Sequence, residues 1–297
     1  MAFLTRVRRH PIAAFFTLAY GLSWLAWLAP ALGVGGVLGT LALFAGGFGP
    51  AVAAAIVAAL LGGGAFGEWA RGLVRWRVAP RWYLAAVGLP FAVMALAIAG
   101  FAALGLPVDL TLLPGRLALV IPTFVLIALA QGGNEEPGWR GFALPRLQER
   151  CSPVVASLIL GALWAAWHLP VLFASPESQH GFGSLVALLP SILVTFVNIV
   201  GLTFVYTWLV NGSRSTLIAI LFHATGNTVN ALFIPLPDAA LVGAVYWIAL
   251  LVTSGLNLAL AVAITAATRG RLGYQTWPAP HAVRPGDRAL AEQPSAR

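Results

Sequence analysis

Residues 131–150 read QGGNEEPGWRGFALPRLQER. Two adjacent carboxylates, Glu135 and Glu136, and then Arg140 interrupt a chain that is otherwise strongly apolar. Only nine of the 297 residues are acidic, and two of those nine sit side by side here. Charge in or near a bilayer is costly and by default marks function. The composition says that the surroundings are bilayer. The chain is 60% hydrophobic and 9% charged, against about 25% charged for a soluble domain, and its mean hydropathy is +0.88. Several apolar runs reach the ~18 residues that span a bilayer as a helix. The ten-residue alternation of a β-barrel is absent. The fold class expected is all-α, a polytopic transmembrane helical bundle in a lipid bilayer.

Outward from the opening stretch, the apolar runs divide the chain into about eight spans. They cover roughly Ile12–Val34, Leu38–Leu61, Tyr83–Leu104, Leu117 into the 131–150 stretch, Val154–Phe173, Leu185–Val210, Thr216–Ile234 and Leu241–Ala267. All seventeen basic residues are Arg, and they cluster in the breaks between runs. That is how a membrane protein sets its orientation, and it argues against nucleic acid as the partner of the +8 net charge. With eight spans both termini are cytoplasmic, and every arginine but Arg116 falls inside. The segment with Arg71, Arg75, Arg77 and Arg81 reads as an interfacial helix or loop. The external loop after span five, 175–183, carries Glu177. Residues 1–267 read as one integral-membrane domain with its core motifs in 117–234, and 268–297 as a disordered cytoplasmic tail. The single Cys151 excludes an intrachain disulfide and a paired-Cys metal site. The all-Arg usage points to a GC-rich genome, and the localisation read from it is a bacterial cytoplasmic membrane.

Two further polar clusters lie within apolar spans. In span five, Trp164 precedes His168 by one turn on the same face. In span seven, His223, Asn227 and Asn230 follow i, i+4, i+7 and share a face. Structural readings compete: a core histidine bonded to a neighbour, or polar side chains joining helices. Spans four and five form a hairpin turning near Cys151. Counted outward from that turn, Glu135 stands level with His168, roughly 24 Å up at 1.5 Å per residue, and His223 stands roughly 12 Å from its own turn. The levels agree if the hairpin projects beyond the bilayer by one or two turns. Glu135 and Glu136 diverge by about 100° on a helix, so they take different jobs. Glu136 pairs with Arg140 at i, i+4, and Glu135 is left to face a cavity. Pro137 and the glycines at 132, 133 and 138 disfavour an ideal helix, which is tolerable at membrane depth only where it lines protein or water. One carboxylate, two histidines and an asparagine around water make a hydrolytic set.

Glu135-Glu136-x-x-x-Arg140, Trp164-x-x-x-His168 and His223-x-x-x-Asn227, in this order on these helices, resemble the CPBP family. That family holds the type II CAAX prenyl endopeptidases, bacteriocin-processing proteins and their bacterial relatives. The resemblance covers about residues 117–234. The family often has Phe where this chain has Trp164. What the resemblance implies is an intramembrane endopeptidase acting on a peptide or protein substrate, lipid-modified in the CAAX case, near the cytoplasmic side. Glu135 would activate water, with His168 and His223 as water-orienting groups or metal ligands. Asn227 would stabilise the oxyanion, with Glu136, Arg140 and Trp164 in support. Glu135, His168 and His223 are also the set that would hold Zn2+ in a metalloprotease of this family, although a ligating Glu135 does not readily serve as the free base. H-E-x-x-H is absent, which excludes the usual zinc-protease helix. Two other readings of the same residues are a non-catalytic scaffold or immunity-type protein of this fold, and a proton-coupled transporter.

Overall fold

The computed structural model describes residues 2–174, 185–241 and 243–275. The expected outer loop at 175–183 and the tail from 276 lie outside the described residues. The described residues contain helices and no strands. After the short α1 (Ala2–Arg9), α2 covers Pro11–Ala31, α3 Gly36–Gly47, α4 Gly49–Leu61, α5 Ala65–Leu73 and α6 Pro80–Ala103. The continuous helical run Leu112–Gln148 is α7. Then follow α8 (Pro153–Trp167), α9 (Leu169–Ala174), α10 (Leu185–Ser213), α11 (Thr216–Phe233) and α12 (Gly243–Ala267). Large apolar side chains such as Leu25, Leu32, Leu84, Ile121 and Leu193 are exposed around the outside, the surface that lipid solvates in a multi-pass membrane protein.

Among the described residues six helical segments are long and apolar enough to cross a membrane. The pair α3 and α4, bent by 44°, makes a seventh if taken as one span. The expected second span is therefore broken. Its break falls where Gly46, Gly47 and Gly49 meet Pro50, and Pro50 starts α4 at a position where its missing N–H costs nothing. A Cβ on Gly49 would sit 2.1 Å from the Ser23 hydroxyl, so the break also lets α4 lie close on α2. The expected seventh span is the 18-residue α11. It is not among the six, and it carries the polar residues His223, Thr225, Asn227, Thr228 and Asn230. Most of its side chains are buried in the bundle rather than facing lipid. About eight spans thus become six or seven apolar ones plus a polar, mostly interior helix.

The run α7 departs from ideal geometry where its sequence requires it. Ala128–Gly132 and Trp139–Ala143 are π-helical, on either side of the α-helical Gly133–Gly138 that holds both carboxylates. Such wide turns mark functional sites more often than regular helix does. They also rotate the short central piece relative to its neighbours. At 37 residues the run is roughly 55 Å long, well beyond the ~30 Å hydrocarbon core. The run is therefore longer than one crossing of that core requires. Gly138 permits contact with α4: a Cβ there would stand 2.6 Å from the Pro50 carbonyl oxygen.

Aromatic packing holds this central piece against α2. Phe15 meets Trp139 edge-on at 5.5 Å, Trp139 meets Trp167 at 5.6 Å, and Trp167 meets Trp27 at 4.6 Å. Elsewhere α8 lies on α10, α10 on α12, and α11 on α6. The interfacial reading of α5 is consistent with its exposed Phe66 and Arg71 and with Arg75, Trp76 and Arg77 beyond it. One expectation is corrected at the C-terminal end. Residues 268–275 are not a disordered tail: Leu272 is fully buried, and the Asn211 side chain donates to its carbonyl at 3.0 Å. The apolar Leu272 supplies burial within a stretch whose Arg and Gly content reads as polar.

Candidate active site

The two carboxylates have separate sets of partners. Glu136 is fully buried. It pairs with Arg140 at 3.2 Å, and its Oε1 lies 2.8 Å from His223 Nδ1. Glu135 is 7% exposed and accepts a hydrogen bond from Trp164 Nε1 at 2.6 Å. Its second oxygen has no hydrogen-bond partner among the described residues. One carboxylate is thus neutralised on two sides, and its neighbour holds one N–H and keeps an oxygen open.

Arg140 has no exposed surface. Its guanidinium lies between two rings, 3.9 Å from the centroid of Trp164 and 4.0 Å from that of Tyr206. It also donates to the Thr203 hydroxyl at 3.3 Å. A buried cation needs such partners, because burying it unpaired costs several kcal/mol. Trp164 is the hub of the group. Its N–H holds Glu135, one face of its ring covers Arg140, and the rings of His168, Tyr206 and His223 lie 5.8, 5.6 and 6.2 Å away.

The two histidines have a common arrangement. His168 Nδ1 is 2.8 Å from the Trp164 carbonyl, and His223 Nδ1 faces the Glu136 carboxylate. A carbonyl and a carboxylate only accept, so Nδ1 carries the proton in both rings and Nε2 keeps a lone pair when the ring is neutral. His168 is not inside a continuous helix as expected. It caps α8 at the step to α9, where Pro170 follows and an unbroken ladder is impossible. Asn227 donates to Gln131 Oε1 at 2.5 Å, which ties α11 to the start of the motif. Trp69 of α5 donates to the Pro137 carbonyl at 2.9 Å, so the interfacial helix also holds the central piece.

Six of the seven sequence-predicted residues come together in two linked groups, and Asn227 bonds Gln131 instead. Glu135, Trp164 and His168 form one; Glu136, Arg140, His223 and Tyr206 form the other; and Arg140 over the Trp164 ring joins them. His223, Asn227 and Asn230 also line a cavity of about 270 Å3 between α6, α10, α11 and α12, as their shared face requires. Thr203, Tyr206 and Gln131 escaped the sequence reading. Thr203 and Tyr206 stand at i, i+3 in an apolar span, where a lone hydroxyl and an aromatic ring look like ordinary packing residues. Gln131 carries no spacing signal either. Among the described residues no three His, Cys, Asp or Glu side chains stand together so as to hold a metal ion. No chemical step below passes through a metal. Cys151 is no nucleophile either: its thiol donates to the Leu147 carbonyl at 3.2 Å, and burial pushes its pKa up, away from the thiolate.

The bond from Trp164 to Glu135 is open to a direct test. Trp164→Phe keeps a ring over Arg140 and removes the N–H. A lost hydrogen bond to a charged group is worth about 1.5–3 kcal/mol. The variant should therefore unfold at a lower temperature than the wild type, by the loss of a bond of that size. Thermal melts of the purified variant check this; an unchanged melting temperature would mean that the N–H does not hold the carboxylate.

Known proteins match this same part of the chain. The model of the type II CAAX prenyl endopeptidase Rce1-like family matches residues 117–229. CAAX prenyl protease 2 of Methanococcus maripaludis is 34% identical over 107 residues, which are 35% of this chain and 37% of that protein. The match thus spans little more than a third of that relative's length. The family match begins in α7 and ends in α11, and it contains all seven motif residues together with Thr203 and Tyr206. On the motifs, their geometry and these two matches, residues 117–229 are similar to the core of the Rce1-like endopeptidases of the CPBP type.

Proposed function

We propose that this protein is an intramembrane endopeptidase that hydrolyses a peptide bond of a membrane-associated polypeptide, on the side where its arginines cluster. The observation that carries the reading is the unequal treatment of the two adjacent carboxylates. A general base needs an oxygen free to take a proton, held in place by its other contacts. Glu135 meets that description. Glu136, tied to Arg140 and His223, does not, and serves to orient the imidazole.

The roles follow from the donors and acceptors. A water that donates one O–H to the open oxygen of Glu135 and the other to the Nε2 lone pair of one of the two histidines loses the first proton to the Glu135 carboxylate. The resulting hydroxide oxygen adds to the scissile carbonyl. Asn227 has one amide N–H on Gln131 and a second one to give to the oxyanion, a stabilisation worth about 3–4 kcal/mol in well-placed cases. The tetrahedral intermediate collapses, the C–N bond breaks, and Glu135 returns its proton to the leaving amine. His223 stays fixed through this cycle because Glu136 accepts its Nδ1–H, and Glu136 is held in turn by its pair with Arg140.

The substrate class follows by similarity to a relative named for CAAX prenyl proteolysis. A short CAAX-type peptide, with and without a prenyl group, is therefore the first probe. Purified protein in lipid nanodiscs should cleave members of such a panel, and cleavage should survive treatment with a strong zinc chelator. Loss of cleavage on chelation with recovery on added Zn2+, supported by metal analysis of the purified protein, would replace the metal-free scheme. Transport of a solute into vesicles by a protein that cleaves no peptide would replace the peptidase reading altogether.

A further inference from the structure

The cavity beside His223 runs on between α10 and α12, away from the carboxylates. Its walls include Asn198 and Asn257, which no step above uses. The Asn257 amide donates to the Asn198 carbonyl at 3.0 Å across the two helices. Each side chain has then used one of its two ends. What remains is one amide NH2 and one amide carbonyl, and neither has a partner among the described residues. This result does not depend on how the amides are assigned, because flipping both leaves the same pair of free groups. Of the other polar groups on the wall, the Asn230 amide donates to the Gly226 carbonyl and the Thr253 hydroxyl to those of Ala249 and Leu250, while the Ser254 hydroxyl lies one turn from Asn257 on the same helix. No Asp, Glu, Lys or Arg lines the cavity.

A free donor beside a free acceptor, in an uncharged cavity at membrane depth, matches one peptide unit. A hydrocarbon chain would leave both amide groups unpaired, at a cost of about 1–3 kcal/mol each. A charged side chain would find no counter-ion. An extended backbone in the membrane needs partners for its own N–H and C=O, and the pair offers one of each. The volume of about 270 Å3 exceeds the ~30 Å3 share of a single water many times over. We propose that Asn198 and Asn257 form a backbone-recognition site for an extended, uncharged polypeptide segment, which leads into the groups at His223 and Asn227. The link to cleavage rests on the peptidase reading above; the binding itself does not.

The test uses full-length Glu135→Gln protein in nanodiscs, so that binding is read without turnover. The probes are fluorescent decapeptides of Ala, Leu and Ser, in which each amide in turn is replaced by an ester. An ester removes one N–H and weakens one carbonyl acceptor. One ester position should weaken binding about tenfold. Asn198→Leu and Asn257→Leu should each bind the parent peptide about tenfold more weakly and lose sensitivity to that ester. Asn198→Ser and Asn257→Ser, with melting curves, guard against misfolding: a binding defect in a normally melting Ser variant counts as support. A Lys or Asp at the same peptide position should abolish binding. Equal binding by all variants, undiminished ester sensitivity in the Leu variants, or no peptide binding at all overturns the site. The wild-type hydrolysis assay, run beside it, separates the two readings. Binding as described with no cleavage of any peptide sinks the peptidase, and cleavage indifferent to both asparagines overturns the proposal that the site leads substrate to His223 and Asn227.

Discussion

Glu135→Gln is expected to remove peptide hydrolysis, lowering kcat by a factor of about 10^3–10^4, while leaving the protein folded. The kinetic magnitude is what a positioned general base contributes at its upper range. Persistence of the fold follows from the contacts. Trp164 Nε1 reaches one oxygen of Glu135 at 2.6 Å, and a glutamine offers a carbonyl oxygen at the same place. The exchange replaces a charge-assisted hydrogen bond with a neutral one, a difference of about 1 kcal/mol. The neighbouring Glu136→Gln should behave in the opposite sense for stability. It removes the negative charge that faces Arg140 at 3.2 Å and leaves a buried guanidinium without its counter-ion, at a cost of several kcal/mol. Kinetics and thermal melts of both variants therefore make a two-by-two comparison. A melting temperature retained in Glu135→Gln and lost in Glu136→Gln supports the division of labour. Residual turnover near wild type in Glu135→Gln would remove the proposed base.

How much of this was legible beforehand depends on the scale of the interaction. Spacing carries local geometry, so the i, i+4 pair of Glu136 and Arg140 and the shared face of His223, Asn227 and Asn230 both appear in the structure. Between the two antiparallel helices Glu135 meets Trp164, one turn before the His168 that counting from the turn sets level with it. The bonds between helices did not appear. That Glu136 would accept from His223, 87 residues away, depends on the rotation of α11, and the π-helical turns before and after the carboxylates change the rotation of α7 itself. The break between α3 and α4 could be seen as a Gly-Pro cluster, but its angle depends on how closely α4 approaches Ser23. Tyr206 was hidden because an aromatic in an apolar span looks like lipid-facing bulk until a cation is found against it. The tail was misread at Leu272 because one apolar residue among Arg and Gly has no periodicity to report its burial.

Arg140 is the residue whose removal should damage the protein most. It is fully buried, and its partners come from three helices: Glu136 on its own, Trp164 on α8, and Tyr206 with Thr203 on α10. Arg140→Met keeps the length and apolar volume and removes the charge. Glu136 is then buried beside His223 with no fixed cation, and breaking a buried pair in this way costs about 3–5 kcal/mol. The two lost cation–π contacts add about 0.5–2 kcal/mol each. The double variant Glu136→Gln/Arg140→Met tests whether the loss comes from an orphaned charge or from packing. With both charges gone, no unpaired ion is left to desolvate, and replacement of a buried ion pair by apolar groups is often neutral. The double variant should then unfold in SDS titration much closer to wild type than Arg140→Met does. It should remain inactive, because a neutral residue at 136 no longer holds the His223 ring by a charge-assisted bond. If the double variant is as unstable as the single one, the contribution of Arg140 is its fit between the two rings, and the ion pair is incidental. If the double variant also cleaves peptide at the wild-type rate, Glu136 does not orient His223, and the order of roles proposed for the two carboxylates fails with it.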